Sequence, residues 1–171
     1  MKGMSSRNAS SRRAVLAVAA SLALAGCGFE LRKAPQFSFK TIAVPTNTAF
    51  ANQVKRDLRA AGTVEVLPAD QVANAEVVLD ILGENRDNVV ISTNAAGQVR
   101  ELQLRLTVRY RLRAKGGKEL LAPAEIRQTR DITYNETAAL AKEGETELLF
   151  RDMQTDIAQQ LVRRLAAAKP A

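Results

Sequence analysis

From Leu102 to Arg113 the side chains alternate without a break. Leu102, Leu104, Leu106, Val108, Tyr110 and Leu112 are interleaved with Gln103, Arg105, Thr107, Arg109, Arg111 and Arg113. A strand sends successive side chains to opposite faces, so this one is apolar on one side and strongly basic on the other. A parallel sheet buried on both faces would have nowhere to put the arginines. An antiparallel-type sheet with one open face accommodates them, and the leucine face then needs a cover.

The rest of the chain supplies one. Leu149, Met153, Ile157, Leu161 and Leu165 recur every four residues, widened by Phe150, Ala158 and Val162, and predict a helix from about Thr137 to Ala167. Gly144 costs up to about 1 kcal/mol against alanine in a helix, so a bend, or a start in earnest after it, is expected there. Ala166 to Ala171 reads as a frayed tail. A second helix is expected from a cap at Asn47 or Thr48 to about Ala61, with Phe50, Val54 and Leu58 on one stripe and Gly62 as its stop. Strands at Thr41 to Val44 and Thr63 to Leu67 flank it, a strand–helix–strand unit suited to a parallel pair. Ala69 to Ala75 reads as one helical turn. Strands are expected at Glu76 to Leu82 and Asn88 to Thr93, with a bend or bulge at Gly83 to Asp87, a hairpin turn at Asn94 to Gln98, a turn at Lys115 to Lys118, and a last strand from Ala124 to Tyr134. The sum is an α+β fold: a mixed, mostly antiparallel β-sheet with two main α-helices packed on one face.

The N-terminus has a different grammar. Lys2, Arg7, Arg12 and Arg13 precede an apolar run from Ala14 to Ala25 that only Ser21 interrupts. This order describes a secretory signal. Its 12 residues fall short of a membrane span, which takes roughly 20. The run ends in Leu24-Ala25-Gly26-Cys27, which resembles a bacterial lipobox and holds the only cysteine of the chain. That resemblance implies diacylglycerol on the Cys27 thiol, cleavage before Cys27, and acylation of the new amino group. Each buried methylene contributes about 0.8 kcal/mol, so several acyl chains anchor stably where one does not. Gly28 stands where an aspartate would signal inner-membrane retention, which favours the outer membrane. The expected organisation is a signal over residues 1–26, a lipidated tether over 27–36 and a single α+β domain over 37–168. Ser11 to Leu16 also resembles a twin-arginine signal, though a simple basic leader explains it as well.

Losing the signal changes the charge. It contains 4 of the 25 basic residues and no acid, which leaves 21 basic against 18 acidic groups, a net of +3. That is no argument for nucleic acid, and an exported protein would rarely meet any.

The chemistry of catalysis is missing from the composition. The chain has no histidine, and past the signal its serines are Ser38 and Ser92. A Ser-His-Asp or Cys-His arrangement cannot be built, and zinc would lack its usual ligands. Asp80, Glu84, Asp87, Glu101, Glu125 and Asp131 could in principle include a glycan-cleaving pair, but they read as edge and turn residues. The expectation is a protein that is not an enzyme and uses no metal and no cofactor beyond the lipid on Cys27.

What remains is binding. Arg105, Arg109, Arg111 and Arg113 form a basic face, and arginine grips phosphate and carboxylate through a planar fork of donors. At an outer membrane the abundant anion of that kind is lipopolysaccharide. Pairing of these arginines with Glu125 and Asp131 on a neighbouring strand is the plainer alternative.

Three stretches resemble one family. Gly26-Cys27-Gly28-Phe29-Glu30-Leu31-Arg32 is similar to the mature start of the lipopolysaccharide-assembly lipoproteins of the LptE type, also called rare lipoprotein B. Tyr134-Asn135-Glu136-Thr137-Ala138-Ala139-Leu140-Ala141-Lys142-Glu143 is a second match, and Met153, Asp156, Gln160, Arg164 and Leu165 a third. The resemblance implies a mixed sheet with two helices. It implies a lipid-anchored, periplasm-facing plug in the lumen of the outer-membrane β-barrel LptD. The plug binds lipopolysaccharide, helps deliver it to the outer leaflet, and assists barrel folding. It also implies a role for Lys142 in lipopolysaccharide binding. The family's second basic position, an arginine just before the hairpin turn, is replaced here by Ser92-Thr93-Asn94, and Arg100 just after the turn is the substitute. A scaffold lipoprotein of another envelope export machine is the alternative partner class.

Overall fold

A computed structural model describes residues 34–135 and 139–168. The signal, Cys27, the first residues of the tether and the expected helix start at Thr137 lie outside the described residues. The elements are β1 (Thr41–Ala43), α1 (Ala49–Ala61), β2 (Glu65–Leu67), a 3-10 segment (Ala69–Asn74), β3 (Val77–Thr93), β4 (Val99–Ala114), β5 (Glu119–Thr133) and α2 (Ala139–Ala167).

The five strands form one sheet in the order β2-β1-β3-β4-β5. β1 is parallel to both β2 and β3, whereas β3, β4 and β5 run antiparallel. The expected fold class therefore holds: a mixed, mostly antiparallel sheet with helices. α1 is the crossover between the parallel strands β1 and β2. Thr48 caps it, the Oγ1 accepting from Ala51 N at 3.1 Å, and Gly62 ends it in the left-handed conformation at φ 68°, where a side chain would be strained.

Alternation along β4 produces the core. Leu104, Leu106, Val108, Tyr110 and Leu112 are buried, together with Met153, Ile157, Leu161 and Leu165 of α2 and Phe50, Val54 and Leu58 of α1. Polar bonds tie α2 to the sheet around this core. Arg130 of β5 pairs with Asp156 at 3.0 Å, Gln154 donates to Glu84 Oε1 at 2.6 Å, and Arg164 donates to the Tyr110 hydroxyl at 3.2 Å. On the other face Ala43, Ala75 and Val78 form a second, small cluster with Leu67 and Val72.

Three expectations need correction. β3 is one strand, not two with a bend over Gly83 to Asp87. Its pairing with β4 slips between Ile81 and Gly83, where Leu82 is a bulge. The bulge switches the phase: Ile81 faces α2 with its partner Tyr110, but after it Glu84 and Arg86 share that face with Val108 and Leu106. β5 begins at Glu119, not at Ala124. Pro123 sits where the β4–β5 register slips, on an edge strand, the two settings in which a strand tolerates a missing N–H. Ala166 and Ala167, expected in a frayed tail, belong to α2, and residues 169–171 lie outside the described residues. Helix α2 reaches Ala167, and Ala168 is buried with its carbonyl accepting from Ser38 Oγ at 2.8 Å. No break interrupts α2 at Gly144.

Candidate functional site

Where β3, β4 and the chain just after β5 pass under the first turns of α2, the sheet and the helix do not close on each other. The inner face of β3 is polar there, and apolar packing stops at Phe150, which is 5% exposed. What remains is a cleft of about 600 Å³. Its sheet side is Arg86, Asn88, Val99 and Leu102, with Tyr134 beyond β5; its helix side is Lys142, Glu143, Thr146, Glu147 and Phe150. Val90, Ile91 and Leu140 are exposed apolar residues at the same end of the fold, Leu140 at 84%.

Lys142 projects into this cleft from α2. Its side chain is only 20% exposed, and its ammonium lies 2.7 Å from Glu145. Arg86 is the other cation. Its guanidinium carbon sits 5.2 Å from the centre of the Phe150 ring, a cation–π arrangement. Nη1 reaches Glu147 at 3.3 Å and Nη2 reaches Glu84 at 3.9 Å. Two cations, the hydroxyls of Tyr134 and Thr146, the amide of Asn88 and an apolar floor suit a ligand with both an anionic and an apolar part. The cleft has neither histidine nor cysteine. Among the described residues no His/Cys/Asp/Glu group could hold a metal ion.

The other expected site residues lie elsewhere. Arg100 is exposed, at a β4 slip opposite Ser92 and Thr93. Its carbonyl accepts from Tyr134 N at 2.7 Å, and it follows the lining residue Val99 without itself lining the cleft. Arg105, Arg109, Arg111 and Arg113 occupy the sheet face turned away from α2, so the fold does not bring them to Lys142. Arg111 and Arg113 both donate through Nε to Asp80 Oδ2, each at 2.9 Å. Burial pushes the Asp80 carboxyl up, but the hydrogen bonds and charges of Arg113 and Arg111 outweigh it and hold the group below its ordinary value. Arg105 donates to Gln103, which in turn donates to Asp131. Arg109 faces Glu125 across the strands, yet Glu125 is taken by Arg127 at 3.1 Å. The alternative pairing with Glu125 and Asp131 is thus realised mainly through another acid, Asp80.

Sequence reasoning missed Arg86. It stands in Glu84-Asn85-Arg86-Asp87, a run without apolar alternation, and its partner Phe150 is 64 positions away. No local signal joins them.

Comparison with known proteins agrees with the architecture. A family model described as "LptE: Lipopolysaccharide-assembly" matches residues 39–165. An LPS-assembly lipoprotein LptE from Yersinia enterocolitica is 32% identical over 151 residues, covering 84% of this chain and 70% of that protein. The protein of the same name from Pectobacterium atrosepticum is 28% identical over 150 residues, with 84% and 79% covered. Among solved structures, lipoprotein B from Nitrosomonas europaea is 29% identical with a TM-score of 0.69, covering 82% of this chain and 91% of that one. The rare lipoprotein B from Shewanella oneidensis has a TM-score of 0.64 at 22% identity, covers 75% and 95% of the two chains, and speaks for the fold alone. With a family match running from Phe39, just before β1, to Leu165 in the last turn of α2, the chain belongs to the LptE family.

Proposed function

We propose that this LptE-family protein is an outer-membrane lipoprotein, held by lipid on Cys27, that plugs the β-barrel LptD and takes up lipopolysaccharide at the Lys142 cleft. The family places the chain in lipopolysaccharide assembly, as a protein that is not an enzyme. Among the described residues no helix is long and apolar enough to cross a membrane, which agrees with attachment through a lipid. The single observation that carries the binding role is the cleft. A buried-stem lysine faces an aromatic floor and apolar walls, a setting that matches phosphate on an acylated sugar. Within the barrel the protein would support folding of LptD and passage of lipopolysaccharide to the outer leaflet. Arg100 and the open face of Arg105, Arg109, Arg111 and Arg113 are secondary contacts, to lipopolysaccharide or to a polar barrel wall.

The test is gentle detergent extraction of outer membranes carrying a C-terminally tagged copy. The expected result is equimolar recovery of a large heat-modifiable β-barrel together with lipopolysaccharide. Recovery of the protein alone would overturn the plug reading and move a scaffold of another export machine ahead of it.

A further inference from the structure

The cleft holds two cations, but only Lys142 has been given a task. Arg86 is held in the wall by an aromatic ring as well as by acids. Its guanidinium lies over Phe150, a ring that is 5% exposed, and its side chain is 35% exposed. A guanidinium held over a ring in this way keeps N–H donors for hydrogen bonding. Those donors form the bidentate fork that fits phosphate and carboxylate oxygens, and a lysine cannot reproduce it.

Both cations are already occupied by carboxylates of one helix. Lys142 is 2.7 Å from Glu145 and Arg86 is 3.3 Å from Glu147, both acids on α2. Glu147 also reaches Arg151 at 3.5 Å, so it has a second cation to turn to when Arg86 is taken. Glu84, the other acid near Arg86, is engaged by Gln154 at 2.6 Å. The long 3.9 Å separation from Arg86 leaves it the weaker partner. The arrangement is that of a site closed by an internal counter-ion which an incoming anion replaces.

We propose that Arg86 is the second cationic contact of the cleft, gripping a phosphate or carboxylate of an acylated, anionic amphiphile once that group displaces Glu147. This rests on the reading of the cleft as the lipopolysaccharide site and adds a residue and a counter-ion exchange to it. Phe150 lies under the guanidinium, Lys142 supplies a point charge from the helix side, and Val99 and Leu102 receive apolar atoms. Electrostatically, acids already crowd the cleft: Arg86 and Lys142 stand against Glu143 and Glu147 of its lining, with Glu84 and Glu145 beside them. Removing one of those acids should therefore strengthen anion binding, which a purely structural ion pair would not do.

The experiment is equilibrium binding of purified lipopolysaccharide, and of the same material with its phosphates removed, to the full chain in detergent. Arg86→Gln, Arg86→Lys, Glu147→Gln and Lys142→Ala are compared, with thermal unfolding of each as a control. Arg86→Gln is expected to weaken binding at least about tenfold, the scale of a lost charged hydrogen bond, and Arg86→Lys to recover only part of it. Glu147→Gln is expected to tighten binding about twofold to threefold. If removing the phosphates abolishes these differences, phosphate is the group gripped; if they persist, it is a sugar carboxylate. Wild-type affinity in Arg86→Gln with a loss in Lys142→Ala would overturn the Arg86 role and leave the cleft reading standing. Wild-type affinity in both would overturn the cleft reading itself. Should Arg86→Gln fail to fold, Glu147→Gln decides alone, and unchanged or weaker binding there overturns the proposal.

Discussion

The Asp80 carboxylate lies 2.9 Å from the Nε of Arg111, its direct partner across β3 and β4, and the same oxygen accepts Arg113 Nε. Asp80 is 16% exposed. Its loss leaves two guanidinium groups facing each other with only the more distant Glu119, 3.9 Å from Arg111, as counter-charge. Asp80→Asn should cost about 2 kcal/mol at neutral pH, in the range for hydrogen bonds to charged groups, as read from urea unfolding. Because its carboxyl is held below the ordinary value, its contribution is fully present above about pH 4. It is lost as pH falls through the lower value of the folded state. The gap between wild type and Asp80→Asn should close in strong acid.

Asp57 on α1 runs the other way. Burial raises its carboxyl, against the opposing effects of Gln53 and Arg56, and its Oδ2 is buried without a partner. A raised carboxyl favours the folded state while protonated and disfavours it once pH has risen through the folded value. Asp57→Asn should therefore stabilise the protein at pH 7 by up to about 1 kcal/mol, a gain that shrinks as pH falls through the raised folded value and is gone below about pH 4. A destabilised Asp57→Asn at neutral pH in the same urea assay would contradict this.

Leu161 is fully buried between α2 and the sheet, whereas Leu148, on the same helix, is 60% exposed. Leu161→Ala should cost about 3 kcal/mol through lost transfer energy and a residual cavity. Leu148→Ala should stay within about 0.5 kcal/mol. Denaturant midpoints of the two variants make the comparison.

Thr48 supplies the side-chain cap of α1. Thr48→Ala should lower stability by about 1 kcal/mol, and Thr48→Ser should be nearly neutral, since serine offers the same acceptor. Thermal unfolding distinguishes them.

Lys142→Ala should weaken lipopolysaccharide binding about tenfold, the loss of one charge-assisted contact. Arg109→Gln, on the opposite face of the sheet, should change it by less than about twofold. Equal losses in both would make the open face part of the binding surface, and a loss in Arg109→Gln alone would move binding there.

Much of the fold was legible because burial and periodicity coincide. The β4 alternation, the α2 stripe and the Thr48 and Gly62 caps are local patterns, and each sits where its residues predict. β3 was not legible as one strand. Its bulge at Leu82 reverses the phase of alternation, and beyond it both faces are polar, so the run from Gly83 to Asn88 looks like a loop. Lys142 entered through a family resemblance, since a lone helix lysine carries no signal of its own. Arg86 could not be found at all, because what marks it is a ring brought over it by tertiary packing. The use of Asp80 rather than Glu125 or Asp131 depends on strand register, which a sequence does not print.

The bond between Ser38 and the Ala168 carbonyl fixes where the chain enters its domain: at the C-terminal end of α2. The cleft opens at the other end of the same helix, around Thr146. At 1.5 Å per residue the two points are about 33 Å apart along the axis, close to the roughly 30 Å of a bilayer's hydrocarbon core. Helix α2 is thus a measuring rod: it sets whatever the cleft grips about 33 Å from the point where the chain enters the domain.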